Sequence, residues 1–141
     1  MKANELRIGN WIKYEDKLVQ VVQLSSLMIL CQRDENQFLV NCAPKVFQPI
    51  ELTEEVLLKI GFKNCNARYV DIYKIEKWID EFNFISIDYR DLRNSNTTLN
   101  ITHINDETYN QCTLLKNNIK YLHQLQNAYY CLTNQEMEVN L

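Results

Sequence analysis

Glycine is scarce in this sequence of 141 residues, in which only Gly9 and Gly61 occur. A phosphate-binding loop needs several closely spaced glycines, so that backbone amides can surround the anion. The sequence therefore excludes a glycine-rich nucleotide loop. Turns must use other residues, and Asn tolerates left-handed backbone conformations better than most side chains. We predict Asn-based turns at 94–96, 105–106, 117–118 and Asn134.

An excess of positive charge is also missing, because the formal net charge is -3. Proteins that coat DNA or RNA gain affinity when Lys and Arg displace counterions from phosphates. Here Lys and Arg are scattered among acidic residues, as on an ordinary solvated surface. The charge pattern therefore argues against a general nucleic-acid coat.

Long apolar runs and paired cysteine motifs are absent too. No stretch approaches the roughly 18 apolar residues that a membrane span requires, and Met1 leads directly into polar sequence. We therefore expect a cytoplasmic protein with no membrane partner. The cysteines are odd in number, contain no C-x-x-C spacing and fit free thiols in a reducing compartment; they are Cys31, Cys42, Cys65, Cys112 and Cys131.

Patterns that carry catalysis or metal binding are missing as well. The only histidines are His103 and His123, and Cys131 follows His123 by eight residues, too far along one helix for a shared metal ion. Asp80 and Glu81 are sequence neighbours whose side chains point apart, so they do not form an acid–base pair. We expect neither an enzyme nor a bound cofactor or metal.

What is present indicates an α+β fold. Short β-branched segments bounded by acidic residues and Asn predict a small barrel-like antiparallel meander of four strands, at 11–14, 18–24, 27–32 and 37–42. Its turns are expected at 15–16 and 33–36. Pro44 and Pro49 bracket the segment 46–48, which is predicted to be an edge strand or an extended crossing segment.

Two helices have clear boundary signals. Thr53 is a good N-cap for a short helix that carries Glu54 and Glu55 in its first turn and ends at Gly61. The second, amphipathic helix covers 121–133. The face of this second helix is apolar at helical spacing, through Leu122, Leu125, Tyr129 and Leu132. Asn134 is its predicted left-handed cap, and 136–139 is a predicted terminal strand.

The segment between the helices predicts a second antiparallel sheet, with strands at 69–75, 84–89, 97–104 and 108–115. Residues 76–82 fit either a strand or a helical turn, because Ile75, Trp78, Ile79 and Phe82 keep helical spacing. A single helix over 106–133 is an alternative to a strand and a shorter helix. We expect one domain over 1–141, with sub-lobes at 1–62 and 63–141.

Three blocks carry a resemblance to a known family: ELRIGNW at 5–11, PIELTEEVLLKIGF at 49–62 and YLHQLQNAYYCLT at 121–133. In this order they resemble an uncharacterised family of small proteins from Bacteroidetes bacteria and their phages or mobile elements. That family commonly has Gly where this chain has Asn134. The resemblance implies a bacterial or phage-infected cytoplasm, and it implies no activity or functional residue.

The polar side of the last helix is the leading candidate for a binding site. His123, Gln124, Gln126 and Asn127, beside Tyr121, offer neutral hydrogen-bonding groups that suit a ligand, a peptide edge or a base edge. The same groups equally suit a buried network that ties the helix to neighbouring strands.

Aromatic residues are the second candidate. Trp11 and Tyr14 offer rings of the kind that stack on bases or peptides, with core packing as the alternative.

These observations favour a non-enzymatic interaction protein that binds another protein or forms a homo-oligomer. Abundant Tyr, Asn and Gln serve such interfaces well. The alternative is a protein that binds a small ligand, a nucleotide or a nucleic acid, as in phage-type sequestration.

Overall fold

The computed structural model describes residues 1–33, 39–64, 74–88, 99–105, 108–115 and 119–141. These residues form nine strands in two antiparallel sheets of four and five strands, together with two α-helices, so the predicted α+β class is confirmed. The chain divides into two compact units: residues 1–51 with 121–137, and residues 52–120 with 138–141. The single domain with sub-lobes at 1–62 and 63–141 stays a prediction.

The first unit contains the predicted meander. Its strands are β1 (Trp11–Tyr14), β2 (Lys17–Leu24), β3 (Ile29–Gln32) and β4 (Leu39–Cys42), paired in that order. Glu15 and Asp16 connect β1 to β2 with φ angles of 47° and 63°. A two-residue turn with positive φ at both positions matches the right-handed twist of the strands on either side, so it connects them tightly. Of the next predicted turn, 33–36, only Arg33 is among the described residues.

The meander is an open sheet and not a closed barrel, so the barrel-like expectation is corrected. Among the described residues, β1 meets the chain beyond β4 at one position. There Lys13 and Gln48 exchange two backbone hydrogen bonds of 2.8 and 2.9 Å. Val46 is not extended as predicted, because Pro44 has the fixed φ that favours the first turn of a helix and begins a 3₁₀ turn, Pro44–Val46. A single bridge cannot continue the strand ladder into a barrel.

Alternating residues of the four strands bury the core of the first unit. This cluster is made of apolar side chains from the sheet and both of its flanking segments: Leu6, Ile12, Val19, Val21, Ile29, Cys31, Val40 and Phe47. Tyr14 packs against the edge of this cluster, with its ring centroid 5.7 Å from that of Phe47. The period-2 pattern in the sequence therefore reports the buried face correctly.

The closing helix α2 runs Leu122–Thr133 with Tyr121 as its N-cap, and Asn134 takes the predicted left-handed conformation at φ 55°. Leu122, Leu125 and Tyr129 are buried as expected. Leu132 is not, with 37% of its surface exposed, so the predicted apolar face is one turn shorter. Residues 136–139 form no strand; Met137 is nevertheless buried, and Glu136 forms an ion pair with Arg7.

The second unit begins with the short helix α1 (Glu54–Lys59), whose N-cap Thr53 accepts a hydrogen bond from the Val56 amide. At its end the Gly61 amide bonds to the Leu58 carbonyl and the Phe62 amide to the Leu57 carbonyl. This paired arrangement requires a left-handed residue, and Gly61 supplies it with φ 88°. Both predicted ends of the helix are confirmed.

The second sheet has the order β5-β6-β7-β8-β9. Its strands are β5 (Lys63–Asn64), β6 (Lys74–Trp78), β7 (Asn83–Asp88), β8 (Leu99–Asn105) and β9 (Thr108–Leu115). The ambiguous segment 76–82 is therefore a strand end followed by a turn, and β9 shows that the single helix over 106–133 is wrong. Most of the strand predicted at 69–75 and the turns predicted at 94–96 and 117–118 lie outside the described residues.

Candidate functional site

The side chain of Gln126, on α2, forms hydrogen bonds with the N-terminal segment. Its side-chain oxygen accepts a 2.9 Å hydrogen bond from the Trp11 amide, and its side-chain nitrogen donates to the Gly9 carbonyl at 3.3 Å. Gln126 is 1% exposed. Because its oxygen and its nitrogen are both bonded to the N-terminal segment, this buried amide fixes the position where β1 begins.

Asn127 extends the same network. Its oxygen accepts from the Asn10 side chain at 2.9 Å, and its nitrogen donates to the Glu5 carbonyl at 3.1 Å. Asn10 is fully buried, and its own oxygen accepts from the Arg7 amide at 2.8 Å. These contacts correspond to the buried-network alternative for the polar side of α2, since they join the helix to residues more than a hundred positions earlier.

Arg7 connects this network to the segment that follows α2. Both of its terminal nitrogens donate to the carboxylate of Glu136, and its guanidinium lies 3.9 Å from the centroid of the Tyr130 ring. The hydrogen bond to Arg7 lowers the pKa of Glu136, with burial acting in the opposite direction. Such two-point pairing is geometrically specific, so it holds the segment after α2 against the segment before β1.

His123 is the unusual member of the predicted site. It is 1% exposed and its ring stacks on that of Tyr121 at 5.8 Å, yet neither ring nitrogen has a hydrogen-bond partner among the described residues. Burial lowers the pKa of His123; the Glu5 carboxylate opposes this effect and the N-terminal amine adds to it. The neighbouring Gln124 accepts from the Tyr121 amide at 3.2 Å and so closes the first turn of α2.

The two aromatic candidates are both partly buried. The Trp11 amide is bonded to Gln126, and the Tyr14 ring packs on Phe47. The nearby carboxylate of Glu15 raises the pKa of Tyr14, and Cys42 acts in the same direction. Neither residue presents a fully open ring, so the structure does not bring Trp11 and Tyr14 together with His123 into one exposed aromatic surface.

A different pair of aromatic residues is exposed, on the turn that connects β6 to β7. Trp78 ends β6 and is 49% exposed, and Phe82 lies just before β7 and is 51% exposed. We name the turn with these two side chains, residues 78–82, the aromatic tip. Trp and Phe are costly to leave in water, and two of them on one short turn form a candidate contact surface.

The aromatic tip is held in one conformation by its own hydrogen bonds. One carboxylate oxygen of Asp80 accepts from the Phe82 and Asn83 amides, each at 2.8 Å, and the Asn83 side chain donates to both carboxylate oxygens. The Ile79 amide donates to the Asn83 carbonyl at 2.8 Å. An Asp that binds amides further along the chain is a common way to fix a turn.

The strand beneath the aromatic tip is anchored as well. The Trp78 ring packs on Phe84, its cross-strand partner, with centroids 4.9 Å apart. The preceding residue, Lys77, donates from Nζ to the carbonyl oxygen of Ile60 at the end of α1. The two exposed rings therefore belong to a hairpin whose first strand is tied to a helix beside the turn.

Sequence reasoning missed the aromatic tip because it left residues 76–82 open between a strand and a helical turn, and neither alternative places Trp78 and Phe82 on an exposed turn. One signal could have identified it. Asp80 and Glu81 separate two aromatic residues, and Asp followed by polar residues between strand-like segments is typical of a hairpin turn. In a hairpin, residues beside the turn are often exposed, whereas the same spacing in a helix predicts one buried stripe.

The described residues contain no cluster of three or more His, Cys, Asp or Glu side chains that could hold a metal ion. Burial raises the pKa of the Cys31 thiol to about 12, and the nearby Cys42 acts in the same direction, so Cys31 stays protonated at neutral pH. No helix in the described part of the chain is both long enough and apolar enough to cross a membrane. No family model, curated protein or solved structure matches the sequence.

Proposed function

We propose that this protein is a non-enzymatic interaction protein, which binds another protein or a second copy of itself through the aromatic tip. The observation that carries the proposal is the exposure of about half of both Trp78 and Phe82 on one fixed turn. Trp is the residue type most enriched among those that dominate the energy of protein interfaces, and Phe adds a large apolar area.

The rigidity of the turn supports the same proposal. Association costs free energy whenever a flexible loop or side chain must be ordered. The contacts of Asp80 and the packing of Trp78 on Phe84 order this turn before any partner arrives. Other exposed apolar residues, such as Leu27 at 76% exposure and its neighbour Met28 at 39%, are not aromatic and are ordinary features of a protein surface.

A nucleic-acid ligand is less consistent with the same surface, although exposed aromatic rings also stack on bases. Glu81 is exposed within the aromatic tip, and no Lys or Arg occurs between Trp78 and Asp88. Carboxylates repel the phosphates that supply most of the affinity for nucleic acids. Charge therefore favours a protein partner. The compartment we propose is the cytoplasm of a Bacteroidetes bacterium or of a phage-infected cell, as the family resemblance implies.

The proposal is tested with the variant Trp78→Ala/Phe82→Ala and the matched control Leu27→Ala, which removes an exposed apolar side chain from the other unit. Circular dichroism and urea unfolding first establish that each variant is folded. Light scattering then measures the mass of each protein over a range of concentrations. Immobilised protein of each kind is incubated with bacterial lysate, and the retained proteins are quantified by mass spectrometry.

We expect the wild type and Leu27→Ala to share either a dimeric mass or a retained protein that the double variant loses. A monomeric wild type that retains the same proteins as the folded double variant would show that the aromatic tip is not a binding surface. If Trp78→Ala/Phe82→Ala does not fold, Phe82→Ser alone provides the comparison, because it leaves the packing of Trp78 on Phe84 in place.

A further inference from the structure

We infer that the partner presents an apolar pocket rimmed by Lys or Arg to the aromatic tip. This inference rests on the proposed function and adds the chemistry of the partner. It begins from the charges around the tip. Glu81 is exposed in the turn itself, and Glu76 is half-buried two residues before Trp78 on the same strand. Residues two apart in a strand share a face, so Glu76 and Trp78 point to the same side of the sheet.

Two described cations lie near these carboxylates. Lys63 on β5 is the cross-strand partner of Glu76 and balances part of its charge, whereas Lys77 does not face them. Lys77 alternates to the opposite side of β6, and its Nζ donates to the Ile60 carbonyl oxygen at 2.5 Å. Between Trp78 and Asp88 the sequence contains acidic residues and no Lys or Arg. The aromatic tip itself therefore carries an excess of negative charge, from Asp80 and Glu81.

Charge complementarity decides which partner suits this surface. At physiological salt, charges act over roughly 8 Å, which is enough for Asp80 and Glu81 to act on groups that surround a docked Trp or Phe. An acidic rim on the partner would be repelled, and a basic rim would speed association. Lys or Arg can also contact the exposed face of Trp78 through a cation–π interaction. Anionic surfaces such as phosphates or acidic lipids are disfavoured by the same carboxylates.

The probe is a phage-displayed library of random 16-residue peptides, selected against the intact wild-type protein. Selected peptides are synthesised, and their affinities and association rates are measured by surface plasmon resonance. Four proteins are compared: wild type, Trp78→Ala, the charge-reversal variant Glu81→Lys, and Glu51→Lys. The last variant is a matched control that reverses an exposed carboxylate of the other unit.

We expect selected peptides to combine large apolar residues with Lys or Arg. Trp78→Ala should weaken their binding by about tenfold or more, as the loss of a central interface anchor does. Charge reversal should slow association several-fold at low salt and remove most of its salt dependence, while Glu51→Lys changes little.

Two results would overturn the inference, and they differ in what they say of the proposed function. Peptides that need Trp78 but are acidic, or are indifferent to charge reversal, would reject the basic rim and leave the aromatic tip as a binding surface. If no selected peptide depends on Trp78, the basic-pocket partner is rejected, and the proposed function is then decided by the mass and retention measurements alone.

Discussion

The Nζ of Lys77, on the first strand of the aromatic hairpin, donates a hydrogen bond to the carbonyl oxygen of Ile60, the C-cap residue of α1. Helix C-termini leave carbonyl oxygens without intrahelical partners and carry a partial negative charge, so a cation here is stabilising. Burial lowers the pKa of Lys77, and Glu138 acts in the opposite direction. The side chain thus links the short helix of the second unit to its sheet.

Replacing Lys77 with Met should lower the free energy of unfolding by about 1 kcal/mol, because the apolar stem is kept and only the charged hydrogen bond is lost. Urea unfolding measures the change. Lys59→Met is the matched control, since Lys59 only forms an exposed pair with Glu55 one helical turn away and should cost less than about 0.5 kcal/mol. Equal losses for the two variants would contradict a specific role for Lys77.

The stability of the protein should depend on His123 at mildly acidic pH. Because burial lowers the pKa of His123 in the folded state, the folded protein binds this proton less readily than the unfolded chain does. The contribution of His123 is therefore fully present above the unfolded pKa of about 6.5 and is lost as pH falls below it.

Urea unfolding from pH 7.5 to 5.0 tests this dependence. His123→Leu should lose less stability over that range than the wild type does, and it should be at least as stable at pH 7.5, because it removes a buried ring whose nitrogens lack partners. His103, the only other histidine in the sequence, is present in both proteins, so the difference between their pH dependences reports on His123. A steeper loss of stability with falling pH in His123→Leu than in the wild type would contradict the assignment of this dependence to His123.

Gly9 adopts a conformation that other residues resist. Its φ is 91°, and a Cβ atom added there would lie 3.1 Å from a carboxylate oxygen of Glu136. Gly9→Ala should therefore lower the free energy of unfolding by about 1–3 kcal/mol. The same substitution combined with Glu136→Ala separates the two causes, because the added methyl then meets no carboxylate and only the backbone strain remains. If Gly9→Ala costs no free energy of unfolding in the Glu136→Ala protein, the backbone strain is unimportant.

Gln126→Leu should be among the most damaging changes on α2. It keeps the approximate volume but leaves the partly buried Trp11 amide without its acceptor, which costs about 1–3 kcal/mol. Chemical denaturation gives the loss. Ala128, which is half-buried on the same helix, offers a control through Ala128→Ser, for which we expect a small effect. A Gln126→Leu protein as stable as the wild type would mean that water replaces the lost oxygen.

Features set by neighbouring residues could be predicted from the sequence. Thr53 and Gly61 delimit α1, and Asn134 ends α2, because capping depends on side chains within a few positions. Alternation likewise predicted the strands of the meander. Leu132 shows the limit of such reasoning, since helical spacing indicates which side of a helix is apolar but not how far its neighbours cover it.

Features set by distant residues could not be predicted. Gln126 and Asn127 were recognised as polar groups on one side of α2, but their partners Trp11 and Asn10 lie 115 and 117 positions away. Nothing local distinguishes an amide that binds a ligand from one that binds its own chain. Trp78 and Phe82 were misleading for another reason, because the same spacing fits a helix stripe and the two sides of a hairpin turn.

The contacts between Gln126 and the start of β1 also constrain the order of events during synthesis. The sheet of the first unit is complete by Cys42, yet the helix that bonds to its first strand is translated only after the whole of residues 52–120. The first unit therefore cannot finish folding until the ribosome has synthesised residues 52–120 and the helix α2 that follows them. Contacts this far apart in sequence also slow folding after release. A nascent chain stalled before Tyr121 would expose Asn10 and the Trp11 amide to solvent and to chaperones.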